Sequence, residues 1–407
     1  MWASLWLSAA LAAPTVEALP GGDTLVVVRD ETVPLIEVVV SLPAGRLSVW
    51  WQRSGAGAAW YLPLAAPPDE ATLALTLRHD DWSSELTARF RTAESDAAIS
   101  ALASMLSEPS IDRGALQAWR RGAVTPWASQ DRGASQVLRS IAARSVLAAD
   151  DPRQSLPSAY SLAPRRVRQA ATQLPRLPGR IIGFSGDITL PQARAAAARI
   201  LPPPLSRPPV GLDVVLPTPP AERPATARAR APSRGRGWVL AARPGLAADD
   251  PDLPALWLAL HALSTSGRSR LYRALRHEGG LVYGIDTQPG TGPQPGLLLI
   301  VAACRLSSVD AVAEHSRAEI DRFAAEGLTA AELRAARAAL RQAAAEAAGS
   351  PSSALHQQVD RLRGGVDLAA LSAAAEELSQ AAVSAFAADF FGPDKITVIS
   401  VLPGAGW

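Results

Sequence analysis

Residues 269–283 read Ser-Arg-Leu-Tyr-Arg-Ala-Leu-Arg-His-Glu-Gly-Gly-Leu-Val-Tyr. The spacing of the apolar side chains predicts a helix over Arg268–His277. Two β-rich runs follow, Val282–Gln288 and Leu297–Arg305, and their connection, residues 289–295, is rich in proline and glycine. This stretch therefore predicts a helix that leads directly into a sheet.

The rest of the second half continues this pattern of strands and helices. Thr329 and Glu332 have the spacing of a capping box, which marks a helix start. The predicted elements are strand Trp238–Ala242, helices Asp252–Leu263, Ser308–Glu326, Thr329–Ala348, Ser352–Arg363 and Leu368–Phe391 (broken near Ser379), and strand Lys395–Leu402.

The first half repeats the plan. Asp30–Pro34 separates two β-rich runs and predicts a hairpin that ends at residues 43–45. Both halves therefore predict an α+β fold, each an antiparallel sheet covered by helices. The predicted strands are Thr24–Arg29, Leu35–Leu42, Leu73–Arg78, Leu86–Arg91 and Arg180–Phe184, and the helices are Ser95–Leu106, Arg113–Arg121, Gln130–Leu147, Arg165–Gln173 and Leu190–Ile200.

A proline- and arginine-rich stretch, residues 202–237, lies between the halves. Proline fixes φ and removes a backbone donor, so the stretch is expected to be an extended, semi-rigid linker. The expected division is a leader at residues 1–18, an N-terminal domain at 19–201, this linker, and a C-terminal domain at 238–407.

The first residues resemble a signal peptide. An apolar run, Ala3–Ala13, precedes two small-residue cleavage patterns that end at Ala12 and Ala18. Export to a periplasmic or extracellular space is therefore expected, with cytoplasmic location as the alternative. The n-region has no lysine or arginine, so a buried N-terminal segment or a misplaced start codon remains the competing interpretation.

Composition excludes several classes of protein. The 407 residues include 40 basic and 38 acidic side chains, and the basic ones are scattered rather than gathered as in a nucleic-acid binder. The single cysteine, Cys304, excludes an intramolecular disulfide and a zinc ribbon, and its apolar neighbours indicate a buried strand residue. No apolar run reaches the length of a membrane helix.

The stretch 269–283 resembles the signature of the second domain in the pitrilysin/insulinase family of zinc metallopeptidases. The resemblance spans roughly Leu25 to Leu402, and other landmarks of the family occur in order at Val33–Leu35, Ala44–Gly45, Gly183–Asp187 and Gly327–Leu333. It implies two similar α+β halves that face each other as a clamshell. The pattern of strands and helices in the two halves predicts the same repeat independently.

The family's zinc motif is missing. An H-x-x-E-H helix holds the metal through two histidines, and its glutamate activates the attacking water. None of the five histidines, at positions 79, 261, 277, 315 and 356, is four residues from another. Where the family places the motif, residues 46–57 offer no imidazole. The resemblance therefore implies a member with no metal ligands and no cofactor of its own.

Other clusters of metal-binding residue types are weak candidates. The side chains of His79, Asp80 and Asp81 are adjacent on a predicted turn and rarely converge on one ion. His277-Glu278 lacks a second histidine in register. Paired carboxylates at 249–250 and 376–377 are sequence neighbours that indicate solvated surface.

One part of the family's active site is retained. In active members an arginine and, seven residues later, a tyrosine reach from the second domain to the zinc-bound substrate, and Arg276 and Tyr283 have that spacing. A guanidinium and a phenol can donate hydrogen bonds to a scissile carbonyl and stabilise the oxyanion. The other interpretation is structural, with Arg276 capping its helix and Tyr283 packing on the sheet.

Two functions follow from the resemblance. The chain is expected to be a zinc-free subunit that supplies Arg276 and Tyr283 to a zinc-bearing homologous partner acting on peptides or unfolded polypeptides. The alternative is a non-catalytic peptide-binding or scaffold protein, like the inactive core subunits of respiratory complexes. An autonomous enzyme with a different site has no residue constellation to support it.

Overall fold

The structure is a computed structural model, and it describes residues 13–48, 74–109, 114, 116–117, 131–154, 163–214, 216–220, 222–231 and 235–404. The described residues form eleven strands. The strands are β1 Thr15–Ala18, β2 Thr24–Arg29, β3 Leu35–Leu42, β4 Ala74–His79, β5 Ser84–Arg91, β6 Ile181–Gly186, β7 Thr226–Ala231, β8 Arg236–Pro244, β9 Val282–Gln288, β10 Leu297–Arg305 and β11 Thr397–Pro403.

The helices of the described residues lie close to their predicted positions. Thr329 caps its helix with Glu332 in the expected capping box, and Ser379 caps the last helix at the predicted break. The helices are α1 Ser95–Ser107, α2 Asp131–Val146, α3 Pro164–Gln173, α4 Leu190–Ile200, α5 Leu253–Leu260, α6 Arg270–Tyr272, α7 Val309–Glu326, α8 Ala330–Ala347, α9 Pro351–Leu362, α10 Leu368–Glu377 and α11 Gln380–Phe391. Most of the expected helix Arg113–Arg121 lies outside the described residues.

The two halves carry sheets of the same topology. The first sheet has the order β1-β2-β6-β3-β5-β4 and the second β7-β11-β8-β10-β9. Leaving β1 aside, each begins with a parallel pair, β2 with β6 and β7 with β11, and continues antiparallel. Helices cover both sheets, so the predicted α+β class with two similar halves is confirmed.

The predicted hairpin of β2 and β3 is wrong. β6 lies between the two strands, so Phe184 pairs with Val27 on one side and with Val38 on the other. The sequence pattern shows two consecutive strands with a short connection. It does not show that a strand from about 140 residues later inserts between them, because that pairing is non-local.

Two segments expected to lie outside the domains form strands. Residues 226–231, within the expected linker, form β7, where alanines 227 and 229 pack on the core and Arg228 and Arg230 alternate outward. Thr15–Ala18, within the expected leader, forms β1 on β2. A cut after Ala18 would remove β1, whereas a cut after Ala12 would keep it.

The halves exchange one helix each. α2, from the first half, packs Leu138, Ile141 and Val146 on the inner face of the second sheet. α9, from the second half, packs Leu355 and Val359 on the inner face of the first sheet. Each core is therefore completed by the other half. None of the helices in the described part of the chain has both the length and the apolar character of a membrane span.

Charged groups fasten α9 to the first sheet. His356 lies between two buried glutamates, with Nε2 3.5 Å from Glu37 Oε1 and Nδ1 3.2 Å from Glu85 Oε1. The two carboxylates raise the pKa of His356 to about 9 against the opposing effect of burial. Burial raises the pKa of Glu37, but contacts from His356 and its other partners outweigh that effect and lower it to about 2. The imidazolium and the carboxylates therefore hold each other in the charged state.

We expect the free energy of unfolding of the His356→Gln variant to fall less than that of the native chain as the pH rises from 6.5 to 10. Because the folded-state pKa lies above the unfolded value, the histidine stabilises the fold fully below about pH 6.5, and this contribution is lost as the pH rises through about 9. Urea unfolding should give a gap between native and variant chains of about 2 kcal/mol at pH 6.5 that closes by pH 10. The control is His315→Gln, an exposed histidine on α7. A gap that is the same at both pH values would contradict this assignment.

Candidate functional site

Tyr283 lies at an irregularity in β9. Val282 pairs with Cys304 and Gly284 pairs with Ala303, so Tyr283 is an extra residue with no partner on β10. Such a β-bulge re-aims the side chain of the unpaired residue. Tyr283 is 53% exposed. It therefore does not pack into the sheet as the structural interpretation required, and its phenol is accessible.

Arg276 is positioned against the same strand. It lies in π-helical turns, Arg273–Glu278, that continue α6. Its Nη1 donates a hydrogen bond to the carbonyl oxygen of Val282 at 2.6 Å. The acceptor belongs to β9, next to Tyr283, and not to the helix that Arg276 was expected to cap in the structural interpretation. The structure thus fastens Arg276 to the residue that precedes Tyr283 in β9.

A buried arginine that the sequence analysis missed anchors this region. The side chain of Arg270 is 5% exposed and donates to Glu332 from Nε at 2.8 Å and from Nη2 at 2.9 Å. It also donates to Glu326 and to the carbonyl oxygen of Gly327. Because these acceptors lie at the end of α7 and the start of α8, Arg270 fixes α6, and with it Arg276, to both helices.

The capping box of α8 was the sequence signal that could have identified Glu332 as a partner of Arg270. Glu332 accepts from the backbone N–H of Thr329 at 2.8 Å while its carboxylate also receives Arg270. Burial raises the pKa of Glu332, but the hydrogen bonds from Arg270 and Thr329 outweigh it and leave the pKa below the ordinary value. The carboxylate is therefore charged and serves both the helix start and the arginine.

The weaker candidates have structural roles. Asp80 accepts from the backbone N–H groups of Trp82 and Ser83 at 2.6 and 2.7 Å and so closes the β4–β5 turn. Asp81 pairs with Arg46 at 2.8 Å and with Arg139 of α2 at 2.7 Å. Burial raises the pKa of Asp81, but the two arginines outweigh it and lower it. Both carboxylates are therefore engaged in hydrogen bonds or ion pairs within the fold.

The remaining candidates do not form a reactive site. His277 Nε2 lies 3.1 Å from the carbonyl oxygen of Gly267. Cys304 is buried, as predicted, and burial raises the pKa of its thiol to about 11, so the nucleophilic thiolate is scarce. Within the described ranges, no three histidine, cysteine, aspartate or glutamate side chains are arranged to hold a metal ion. Residues 49–60 of the segment where the family carries its zinc motif lie outside those ranges.

Comparison with known proteins finds one family model and several solved structures. A family model described as the Peptidase M16 inactive domain matches residues 181–340. The predicted resemblance to the pitrilysin/insulinase family is confirmed over this segment. The matched segment contains β8, α6, Arg276, β9 and Tyr283. No curated protein sequence matches the chain.

Solved structures share the fold across both halves. A peptidase M16 inactive domain from Pseudomonas fluorescens superposes with a TM-score of 0.78 at 17% identity, covering 97% of this chain and 99% of that one. The periplasmic protease PqqL from Escherichia coli gives 0.72 at 15% identity, with 97% of this chain covering 46% of PqqL. A chain of Complex III2 from Candida albicans gives 0.71 at 14% identity, covering 95% of each. The predicted clamshell fold is confirmed.

Arg270→Met is expected to destabilise the chain strongly. The change leaves the half-buried Glu332 without its buried cation, and breaking a buried ion pair in this way typically costs about 3 kcal/mol. Arg273→Met is the matched control, since Arg273 is 54% exposed on the next turn and lies 3.6 Å from Glu278. Its free energy of unfolding should change by less than about 0.5 kcal/mol. Equal unfolding midpoints in urea for the two variants would contradict the anchoring role of Arg270.

Proposed function

We propose that this pitrilysin-like chain is the zinc-free subunit of a two-chain peptidase. Its Arg276 and Tyr283 would act on a peptide held at the zinc site of a homologous partner that carries H-x-x-E-H. The observation that carries the proposal is the bond from Arg276 to the carbonyl oxygen of Val282, the residue that precedes the exposed Tyr283 in β9.

The chemistry of the two side chains suits this role. A guanidinium carries five N–H donors, and the single bond to Val282 orients Arg276 while leaving donors for a substrate. The hydroxyl of Tyr283 is a second, uncharged hydrogen-bond donor. Two oriented donors can bind a scissile carbonyl and stabilise the negative charge that develops on its oxygen. The partner's zinc would activate the attacking water.

Because this chain lacks the zinc motif, Arg276 and Tyr283 would have to act on a substrate held by another chain. The chain has no two histidines at motif spacing, so Arg276 and Tyr283 alone can bind a carbonyl but cannot generate a nucleophile. A homologous partner of the same two-half fold would place its zinc-bearing half where these donors can reach. The substrate class is a peptide or an unfolded polypeptide, and a periplasmic location is the setting that the leader-like first residues and the likeness to PqqL support.

A second function has its own support. The likeness to a chain of Complex III2 shows that the same fold occurs within a respiratory assembly. A non-catalytic scaffold would need the exposed surface of the clamshell but not the donors of Arg276 and Tyr283. The two functions therefore differ in what these side chains do.

Substitution at the two donors tests the proposal. With the zinc-bearing homologue from the same organism copurified, Arg276→Ala and Tyr283→Phe should each lower peptide turnover by about 10²-fold while the complex still forms. Arg273→Ala, on the same helical turn, is the control and should leave turnover unchanged. Normal turnover in correctly assembled complexes of both donor variants would favour the scaffold function.

Metal analysis tests the assignment of zinc to the partner. The chain purified alone should retain no stoichiometric zinc after dialysis, because it has no pair of histidines at ligand spacing. Elemental analysis of the chain and of the assembled complex provides the comparison, and zinc should appear only in the complex. One tightly held zinc ion per isolated chain would contradict the proposal.

A further inference from the structure

Three arginines lie around the start of β11. Nη2 of Arg317, on α7, donates to the carbonyl oxygens of Ala225 at 2.5 Å and of Ile396 at 2.6 Å. Ala225 immediately precedes β7, and Ile396 immediately precedes β11. Arg317 therefore marks the point at which these two parallel strands enter the second sheet.

The other two arginines come from neighbouring parts of the chain. The antiparallel register of β8 and β11, continued by one residue, places Arg243 opposite Ile396. Arg223 lies two residues before Ala225, on the segment that leads into β7. Burial and the positive charge of Arg223 lower the pKa of Arg243 to about 10, against the opposing effect of Asp389. The two guanidiniums are therefore close enough to repel each other.

Arg243 is held in place by α11. Its guanidinium carbon lies 3.4 Å from the centroid of the Phe390 ring, and Nη1 donates to the carbonyl oxygen of the same residue. Nε donates to the carbonyl oxygen of Pro244 at 3.3 Å. Nη2 makes no hydrogen bond to any residue that the structure describes, so an oriented donor remains for a ligand.

Arg223 makes no hydrogen bond or ion pair within the described part of the chain, although its Nε is buried. Nε of Arg317 is likewise buried without a hydrogen-bond partner among the described residues. Buried polar groups are nearly always hydrogen-bonded, and one that finds no partner in the protein indicates an ordered water or an ion. The two Nε donors therefore point to a ligand with acceptor oxygens.

The carboxylates of the described residues do not neutralise the three arginines. Asp321 alone reaches ion-pair distance, and its Oδ1 lies 3.6 Å from Nη1 of Arg317. Asp389 acts on Arg243 from farther away, and burial lowers the pKa of Arg223 with no carboxylate to oppose it. Because neighbouring positive charges repel each other more strongly away from water, a bound anion would stabilise this region.

We propose that Arg223, Arg243 and Arg317 bind an oxyanion, either a phosphate or a carboxylate group, at the start of β11. Guanidinium groups suit such ligands because their planar N–H donors match pairs of oxygen atoms. Both β8 and β10 separate β11 from β9, which carries Tyr283. The oxyanion site is therefore distinct from the candidate peptidase site and does not depend on the proposed function.

The bound oxyanion would join three separate parts of the chain. Arg223 belongs to the segment between the halves, Arg243 to β8 and Arg317 to α7. A ligand that binds only the folded chain stabilises it in proportion to the logarithm of the ligand concentration, once the site is largely filled. Binding should therefore fasten the segment before β7 to the second sheet and raise the unfolding temperature.

Calorimetric titration of the isolated full chain tests binding directly. Inorganic phosphate, sulfate and acetate would each be added at pH 7, with sodium chloride keeping the ionic strength constant. One phosphate or sulfate ion per chain should bind with a Kd of about 1 mM. Binding of acetate alone would identify the group as a carboxylate and keep the site, whereas no binding of any of the three would overturn the proposal.

Arg223→Gln connects binding to the three arginines. Because Arg223 makes no bond within the described fold, the variant should unfold at the native temperature or above it when chloride is the only anion. About 20 mM phosphate should raise the native Tm by about 2 °C and that of the variant by less than about 0.5 °C. Arg207→Gln, an exposed arginine of the same proline-rich segment, is the control and should respond like the native chain.

Two results with these variants would overturn the proposal. An equal rise of Tm in the native chain and in Arg223→Gln would show a general effect of phosphate on the protein surface. A variant that is less stable than the native chain by the same amount in chloride and in phosphate would show that Arg223 serves the fold and not a ligand.

Discussion

The exchange of one helix between the halves is the constraint on which the rest of the structure depends. Each sheet buries one face under helices of its own half, but its inner face is covered by a helix from the other half. On the first sheet that contact is polar as well as apolar, since His356, Glu37 and Glu85 share it. Neither half therefore has a complete core without the other, and the inner face of the second sheet, with β9 at its edge, is held at a defined place.

Local patterns in the sequence predicted most elements but not their neighbours. β2, β3, β9 and β10 have the predicted bounds because alternation and turn residues mark strands locally. The insertion of β6 between β2 and β3 depends on a parallel pairing across a long connection, which leaves no trace in either strand. The sequence did not predict β7 either, because alanine alternating with arginine in a proline-rich stretch has little β-propensity of its own.

The candidate site shows a similar division. Arg276 and Tyr283 were found because a family signature fixes their spacing within one helix and one strand. Arg270 was missed because its partner Glu332 lies in another helix, 62 residues later in the chain. Neither burial nor register can be deduced from one arginine among many in an arginine-rich chain.

The bulge at Tyr283 has a second consequence, which concerns solubility. β9 is an edge strand of the second sheet, and a long, regular edge invites another chain to pair with it and aggregate. An irregular step at Tyr283 and the charge of Asp286 interrupt that edge, and Arg228 and Arg230 do the same for β7 at the opposite side. These edges therefore discourage the folded chain from pairing with copies of itself.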